Sequence, residues 1–313
     1  MSRFAVAALL FFTASVFSQD YPVRPVRLLV GFPPGGAMDT IARVLSPKLA
    51  EALGQPFVVE NRAGAAGAIA ADGLVKAAPD GYTLLLAESG TLIVPAINPK
   101  AAYDPVKQFA AVAGVCALPL AIVVSPSFPA ANIQELIAAL KSNPGKYSYA
   151  SPGIGTLQHL AFELFKRSAG VDAVHVPYKG ATAMMPDLMS GEVPIGMISA
   201  LVAVSQSKTG KIRALAVTSA QRLPNAPEIP ALAETIAGFE AAPNVFVVAP
   251  AGFANEKLSN AIRAAVTSPD VRETFAKQGA SPMPAGPAEL GALIAAESRR
   301  WADLVRAANI RAE

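Results

Sequence analysis

The sequence predicts an α/β fold of two lobes built on mostly parallel sheets. From residue 27 onward, apolar strand segments alternate with amphipathic helical segments, and glycine-rich turns join several strands directly to helices. This alternation is typical of α/β proteins. Two strand segments, at residues 121–126 and 245–250, also resemble each other. We interpret them as crossover strands between two lobes; two unrelated strands with common strand residues are the alternative.

The first lobe is expected to be discontinuous, made of residues 22–124 and 246–313. Its expected strands cover residues 27–32, 57–61 and 82–87, and its helices cover residues 39–53, 68–77, 255–267 and 287–308. Pro47 lies inside the first of these helices and is expected to kink or divide it. The two long C-terminal helices are expected to complete this lobe.

The second lobe, residues 125–245, is expected as an insertion in the first. The same alternation continues there, with helices at 133–142, from 157 and after 180. Its expected strands are at 147–150, 174–176, 194–199 and 212–218.

The N-terminus has the pattern of an export signal. Arg3 precedes an almost wholly apolar run at residues 4–17, which is too short for a comfortable membrane span. We therefore expect residues 1–18 to be a signal peptide cleaved after Ser18; an uncleaved anchor is the alternative. The single cysteine, Cys116, can form no internal disulfide.

Composition excludes several classes of protein. Apolar residues make up 52% of the 313 residues, which favours a folded protein with a large hydrophobic core over a disordered one. The net charge is only 26 − 23 = +3 and Lys and Arg are not densely clustered, so we expect no nucleic-acid partner. One cysteine and two histidines without metal-ligand spacing predict no metal site, and we expect no cofactor.

The segment from residue 28 to residue 39 is the most informative in the chain. A buried-type strand enters a Pro-Pro-Gly-Gly turn and then a helix, and we call Pro34, Gly35, Gly36 and Ala37 the first rim. Proline has no backbone N–H, so the donors of this rim are the N–H groups after Pro34. Glycine permits positive φ and close approach of a ligand, and the helix N-terminus favours an anion. Asp39 suits the positive end of the helix, and it is also a candidate to orient amines or waters at the ligand.

A second glycine loop has the same layout. Ser151 ends a strand, and Gly153, Gly155 and Thr156 lead into a helix; we call residues 153–156 the second rim. Thr156 can cap the helix, or with Ser151 it can grip a carboxylate. His159 lies one turn further on, where it can contact a ligand or brace the loop, whereas we expect His175 to be a packing residue.

The remaining candidates lie where strands end, the position at which α/β domains bind ligands. Tyr178, Lys179 and Gly180 follow one strand, and Ser89 and Ser199 lie at the ends of two others. Catalysis has little support because no Gly-x-Ser-x-Gly elbow or carboxylate pair is present. We therefore expect a protein that is not an enzyme.

Taken together, these loops resemble the Bug family of periplasmic receptors, the substrate-binding proteins of tripartite tricarboxylate transporters. The resemblance covers nearly the whole chain after the signal segment, in order. The segments that carry it are residues 32–36 with Asp39, 53–56, 59–62, 78–84, 151–160, 176–180, 215–218, 238–240 and 248–252.

The resemblance implies a bilobed periplasmic-binding-protein fold (type II-like), with the ligand in the cleft and held largely by backbone amides and ordered waters. It also implies a monomeric receptor that delivers a small organic acid to integral-membrane transporter subunits. A sensory receptor that signals to a sensor kinase, and less so a secreted hydrolase, are the alternatives. Residues 194–199 lack the acidic residue common in the family, which favours a dicarboxylate or an aromatic carboxylate over an amino acid.

Overall fold

Two β-sheets form the framework of the computed structural model, which describes residues 21–98 and 100–310. The expected signal peptide, residues 1–18, lies outside the described residues. The six-stranded sheet has the order β11-β4-β10-β3-β1-β2, with β1 Val26–Val30, β2 Phe57–Asn61, β3 Thr83–Glu88, β4 Phe109–Ala117, β10 Asn244–Pro250 and β11 Ser281–Pro282. The five-stranded sheet has the order β7-β6-β8-β5-β9, with β5 Leu120–Val124, β6 Ser148–Ser151, β7 Val174–Pro177, β8 Ile195–Ser199 and β9 Arg213–Val217.

The α/β class is confirmed, but both sheets are mixed rather than mostly parallel. In the first sheet β1 is parallel to β2 and β3, whereas β10 is antiparallel to β3 and β4. In the second sheet β6 is parallel to β7 and β8, whereas β5 is antiparallel to β8 and β9. The chain enters each sheet from the other through β5 and β10, and these two strands form four of the antiparallel pairs; β11 with β4 is a further one.

Helices cover the faces of both sheets. They are α1 Ala37–Leu53, α2 Ala68–Val75, α3 Ser89–Ile97, α4 Pro105–Gln108, α5 Ile133–Ser142, α6 Leu157–Ala169, α7 Ala181–Ser190, α8 Ala200–Lys208, α9 Glu256–Thr267, α10 Pro269–Lys277 and α11 Pro287–Ala307. Helix α1 continues through Pro47 without being divided, because Ile41, Leu45 and Leu49 bury one continuous face. Within residues 21–98 and 100–310, no helix combines the length and the apolar character needed to cross a membrane.

The two similar strand segments each belong wholly to one sheet. The segment expected to leave the first lobe is β5, which pairs with β8 and β9 in the five-stranded sheet and is buried along its whole length. The assignment of residues 120–124 to the first lobe is corrected accordingly. The chain passes between the sheets at Leu118 and Pro119, and it returns between β9 and β10. Below, the first lobe means the six-stranded sheet with its helices, and the second lobe means the five-stranded sheet with its helices.

Helix α11 was expected to belong to the first lobe alone, but it packs into both lobes. Leu290 and Ile294 in its first half pack in a first-lobe cluster. Trp301 and Leu304 in its second half lie in the main hydrophobic core of the second lobe, together with Ile97 of α3. The reason is that its apolar face runs the length of the helix and reaches across both lobes. Helices α3 and α11 therefore join the lobes beside the cleft.

Candidate functional site

A cleft of ≈ 710 Å³ lies between the two lobes. This volume is within the range typical of small-molecule sites. The first lobe contributes Phe32, Pro33, Pro34, Gly35, Gly36, Ala37, Met38, Glu88 and Gln278. The second lobe and the connecting segments contribute Leu118, Leu120, Gln158, Ser199, Leu201, Val202 and Pro243.

Helix N-termini surround this cleft. Helices α1, α3 and α8 begin there, and their N-cap residues Gly36, Glu88 and Ser199 make no side-chain capping hydrogen bond. Helix α6 contributes Gln158 from its first turn. The first N–H groups of a helix have no partner within the helix, and they carry partial positive charge. The geometry therefore suits an anion that is bound by backbone donors.

The first rim lies on the wall of the cleft, where Pro34, Gly35, Gly36 and Ala37 are exposed. Only one of the two glycines uses its conformational freedom: Gly35 has φ +83°, whereas Gly36 has φ −79°, which any residue can adopt. A Cβ on Gly36 would lie 3.6 Å from the Pro33 carbonyl oxygen, an ordinary contact. A side chain at position 36 would therefore cause no backbone strain, and the absence of one at Gly36 leaves the N-terminus of α1 accessible to a ligand.

Asp39 lies behind the first rim and outside the lining of the cleft. Its carboxylate accepts hydrogen bonds from the Gly35 N–H (2.9 Å), from Arg43 Nε (2.9 Å) and from Asn61 Nδ2 (2.9 Å). These donors, with Arg43 first, lower the pKa of Asp39 to about 2. Because its oxygens are occupied by protein donors, this geometry favours support of the rim over the predicted role at the ligand.

The polar groups of the second rim bond to one another. Thr156 Oγ1 donates to the Gly153 carbonyl (2.8 Å) and accepts from the His159 N–H (3.3 Å), as an N-cap. Gly153, Gly155 and Thr156 are half-buried and are not part of the cleft lining. Of the two alternatives for Thr156, this geometry favours capping.

His159 and Ser151 also bond within the protein. The Gly155 N–H donates to His159 Nδ1 (3.1 Å), and His159 is 5% exposed. Its ring stacks on His175 at a centroid distance of 3.8 Å, and burial lowers the pKa values of these two residues to about 3 and about 4. Ser151 is fully buried and bonds His175 Nε2 (2.7 Å), so its hydroxyl is not exposed as a nucleophile. The geometry favours loop bracing for His159.

The loop after β7 is fastened to the second rim. The Tyr178 N–H donates to the Ser151 carbonyl (3.0 Å), and the Gly180 N–H donates to the Pro152 carbonyl (2.9 Å). The Tyr178 hydroxyl donates to Asp187 Oδ2 (2.5 Å), and its pKa is raised to about 12, mainly by desolvation. Lys179 is exposed, and none of these three residues after β7 lines the cleft.

The two predicted serines have different positions. Ser199 lines the cleft at the start of α8. Ser89 is fully buried below it, where its hydroxyl donates to Glu297 Oε2 (2.6 Å) and accepts from the Asn244 N–H (2.9 Å). Ser89 thus ties β10 to α11 under the cleft.

Several lining residues were not singled out by the sequence analysis. An apolar wall is formed by residues of the second lobe and of the segments that connect the lobes: Leu118, Leu120, Leu201, Val202 and Pro243. Only one feature of the sequence pointed to Glu88 as a site residue: it directly follows the strand expected at residues 82–87. Over the described ranges, no group of three or more His, Cys, Asp or Glu side chains is placed to hold a metal ion.

Comparison with known proteins gives the family. Residues 41–310 match the family model described as the tripartite tricarboxylate transporter family receptor. Its members are substrate-binding receptors rather than enzymes, which confirms the expectation that this chain is not an enzyme.

Three solved structures share both sequence and fold with this chain. The periplasmic binding protein BugD is 33% identical, with a TM-score of 0.76, over 94% of this chain and 100% of its own. R. palustris Rpa4515 with adipate is 32% identical, with a TM-score of 0.77, over 93% of this chain and 99% of its own. MatC (Rpa3494) from Rhodopseudomonas palustris with bound malate is 32% identical, with a TM-score of 0.74, over 91% of this chain and 100% of its own. The bilobed fold and the resemblance drawn from the loops are therefore confirmed: this chain belongs to the tripartite tricarboxylate transporter receptors, the solute-binding family that includes the periplasmic Bug proteins.

Proposed function

We propose that this chain is an exported periplasmic receptor that captures a small organic carboxylate in the cleft between its lobes. It then delivers the acid to the integral-membrane subunits of a tripartite tricarboxylate-type transporter. The observation that carries the proposal is the convergence of α1 and α8, whose N-termini have no side-chain cap and open on one cleft.

The lining explains how an anion is held without a basic side chain. No Lys or Arg is among the described residues that line the cleft. Backbone N–H groups and helix dipoles therefore supply the positive potential, and these interactions strengthen when water is excluded. The apolar wall suits a hydrocarbon chain or a ring. Adipate and malate, bound by the two R. palustris neighbours, are dicarboxylates, which supports the preference for a dicarboxylate or an aromatic carboxylate as a prediction.

A paired substitution tests capture at the first rim. Gly36 and Gly286 are both helix N-caps, with φ/ψ of −79°/174° and −80°/174°. Aspartate at an N-cap accepts hydrogen bonds from the first N–H groups of its helix and stabilises it. In Gly36→Asp the new carboxylate takes the donors proposed for the ligand, whereas in Gly286→Asp the same change is made away from the cleft.

The measurement is a thermal-shift screen with mono-, di- and tricarboxylates, aliphatic and aromatic, followed by calorimetry on the acids that raise the melting temperature. We expect Gly36→Asp to abolish binding and Gly286→Asp to retain it, with both variants folded. Equal affinity in the two variants would show that the first rim does not bind the ligand. No response of the unchanged protein to any acid would reject the receptor function.

Export, oligomeric state and delivery need cellular tests. Periplasmic protein is expected to begin at Gln19 and to have the mass of a monomer in solution. A strain without the receptor is expected to lose uptake of the labelled acid and to regain it with the unchanged chain but not with Gly36→Asp. Normal uptake in the strain without the receptor would show that this chain is not needed for transport of the acid.

A further inference from the structure

Glu88 occupies an unusual position for an acidic residue. It ends β3 and is the N-cap residue of α3, and it lines the cleft. Its side chain lies against Gly90, where an added Cβ would collide with Glu88 Oε1. Glycine at position 90 therefore makes the space in which this carboxyl sits.

No positively charged side chain is paired with Glu88 in the described part of the chain. Desolvation, together with repulsion from another acid, Glu297 of α11, raises the pKa of Glu88 to about 7. The Gly90 N–H opposes the rise only in part. Arg300, also on α11, lies near Glu297 but gives its hydrogen bond to the Glu240 carbonyl. No salt bridge to Glu88 forms among the residues the structure describes.

The lining of the cleft therefore contains two different kinds of polar group. The first rim presents N–H donors, and Glu88 is the single ionisable side chain in the described lining. The rest of the lining consists mainly of apolar side chains, with the hydroxyl of Ser199 and the amides of Gln158 and Gln278. A ligand with a carboxylate at one end meets donors at the rim and an acceptor at Glu88.

We propose that Glu88 is a specificity-determining residue, which selects organic acids that carry a hydrogen-bond donor opposite the carboxylate and disfavours a second, unprotonated carboxylate there. A hydroxyl or an ammonium group donates to Glu88, and a hydrogen bond to a charged group is stronger than one between neutral groups. A second carboxylate offers only acceptors and adds a like charge in a poorly solvated place.

This inference rests on the proposed receptor function and narrows its ligand class. Dicarboxylates and aromatic carboxylates remain candidates when they also carry a donor, such as a hydroxyl group. Above its pKa of about 7, Glu88 supplies, from the end of β3, a negative charge like the one missing from residues 194–199.

The test compares ligands of equal length by calorimetry at about pH 8, above the pKa of Glu88 of about 7. One series is butyrate, 4-hydroxybutyrate and succinate, and the other is hexanoate, 6-hydroxyhexanoate and adipate. In the unchanged protein we expect a hydroxy acid to bind more tightly than the dicarboxylate of its series. In Glu88→Gln we expect the ratio of the two affinities to fall by about tenfold or more, because the charged acceptor becomes a neutral amide.

Glu240→Gln is the matched control, because it removes the same charge from an exposed residue outside the cleft. It is expected to leave the ratio as in the unchanged protein. Melting curves establish that both variants fold. An unchanged ratio in Glu88→Gln, with carboxylates still bound, overturns the role of Glu88 and leaves the receptor function standing. No binding of any of these acids by the unchanged protein counts against the receptor function itself, and the inference then falls with it.

Discussion

Gly155 of the second lobe lies against Ile97 of the first lobe's α3. A Cβ on Gly155 would be 2.7 Å from Ile97 Cδ1, closer than such atoms approach each other. Gly155 also has φ +75°, a conformation that favours glycine. The lobes thus meet at a position where a side chain would hold them apart.

Gly155→Ala is therefore expected to weaken ligand binding, because the added methyl group displaces the Ile97 side chain of α3 from the second rim. Gly252→Ala is the control: Gly252 has φ +92° but no atom within 4 Å of the added Cβ. Both changes introduce backbone strain, so calorimetry on the pair isolates the contact between the lobes. Equal losses of affinity in the two variants would assign the effect to strain alone.

Asp39→Asn is expected to lower the free energy of unfolding by about 2 kcal/mol, because it removes the charge that Arg43 and the Gly35 N–H contact. Urea unfolding measures this loss. The pKa of Asp39 is about 2 when folded, below its ordinary 3.8, so its stabilisation is present above pH 3.8 and is lost as the pH falls toward 2. Asp270→Asn removes an exposed bridge to Lys48, and because solvent screens such a pair it should change stability much less than Asp39→Asn does. Equal effects from the two variants would contradict a supporting role for Asp39.

Glu88→Gln is expected to be more stable than the unchanged protein above pH 7. The folded protein holds the Glu88 proton up to a pKa of about 7, against an ordinary 4.5, so it binds more protons than the unfolded chain in this range. Stability of the unchanged protein therefore falls as the pH rises from 4.5 to 7. The glutamine does not titrate, and we expect a relative gain of about 2 kcal/mol at high pH. Urea unfolding of both proteins at several pH values measures it; a difference that does not vary with pH would contradict this electrostatic account.

Trp301 is the large residue with which α11 enters the second lobe, and it is 1% exposed. Trp301→Ala is expected to cost about 3–5 kcal/mol through the cavity it leaves. The indole Nε1 finds no hydrogen-bond acceptor among the described residues, so Trp301→Phe removes an unpaired donor and should cost much less. Thermal unfolding distinguishes the two. Similar losses would contradict this account, because they would mean that a phenyl ring replaces almost none of what the indole contributes to the core.

Much of the fold could be predicted because its elements have clear periodicity and turns. The second strand and α5 were predicted with the bounds that the structure has, Phe57–Asn61 and Ile133–Ser142. Strand β4 was missed because Phe109–Ala117 is rich in alanine and glycine and does not alternate. Helix α3 was missed because Pro95 lies inside it, where proline usually argues against a helix.

The site could be predicted only in part, because its chemistry depends on which elements meet. The first rim could be found from residues 33–36, since a proline-glycine turn before a helix has a local signature. Glu88 could not be assigned a role, because its electrostatics depend on Glu297, which is far away in the chain. The same holds for His159, whose ring is committed to Gly155 and His175 by tertiary contacts.

The path of α11 has a consequence for how the polypeptide matures. The interior of the inserted lobe contains Trp301, Leu304 and Ile310, which are translated long after the strands they cover. That interior stays incomplete until almost the whole chain has been made. Premature collapse of the middle segment is thereby discouraged, which would suit a chain that is exported as proposed above.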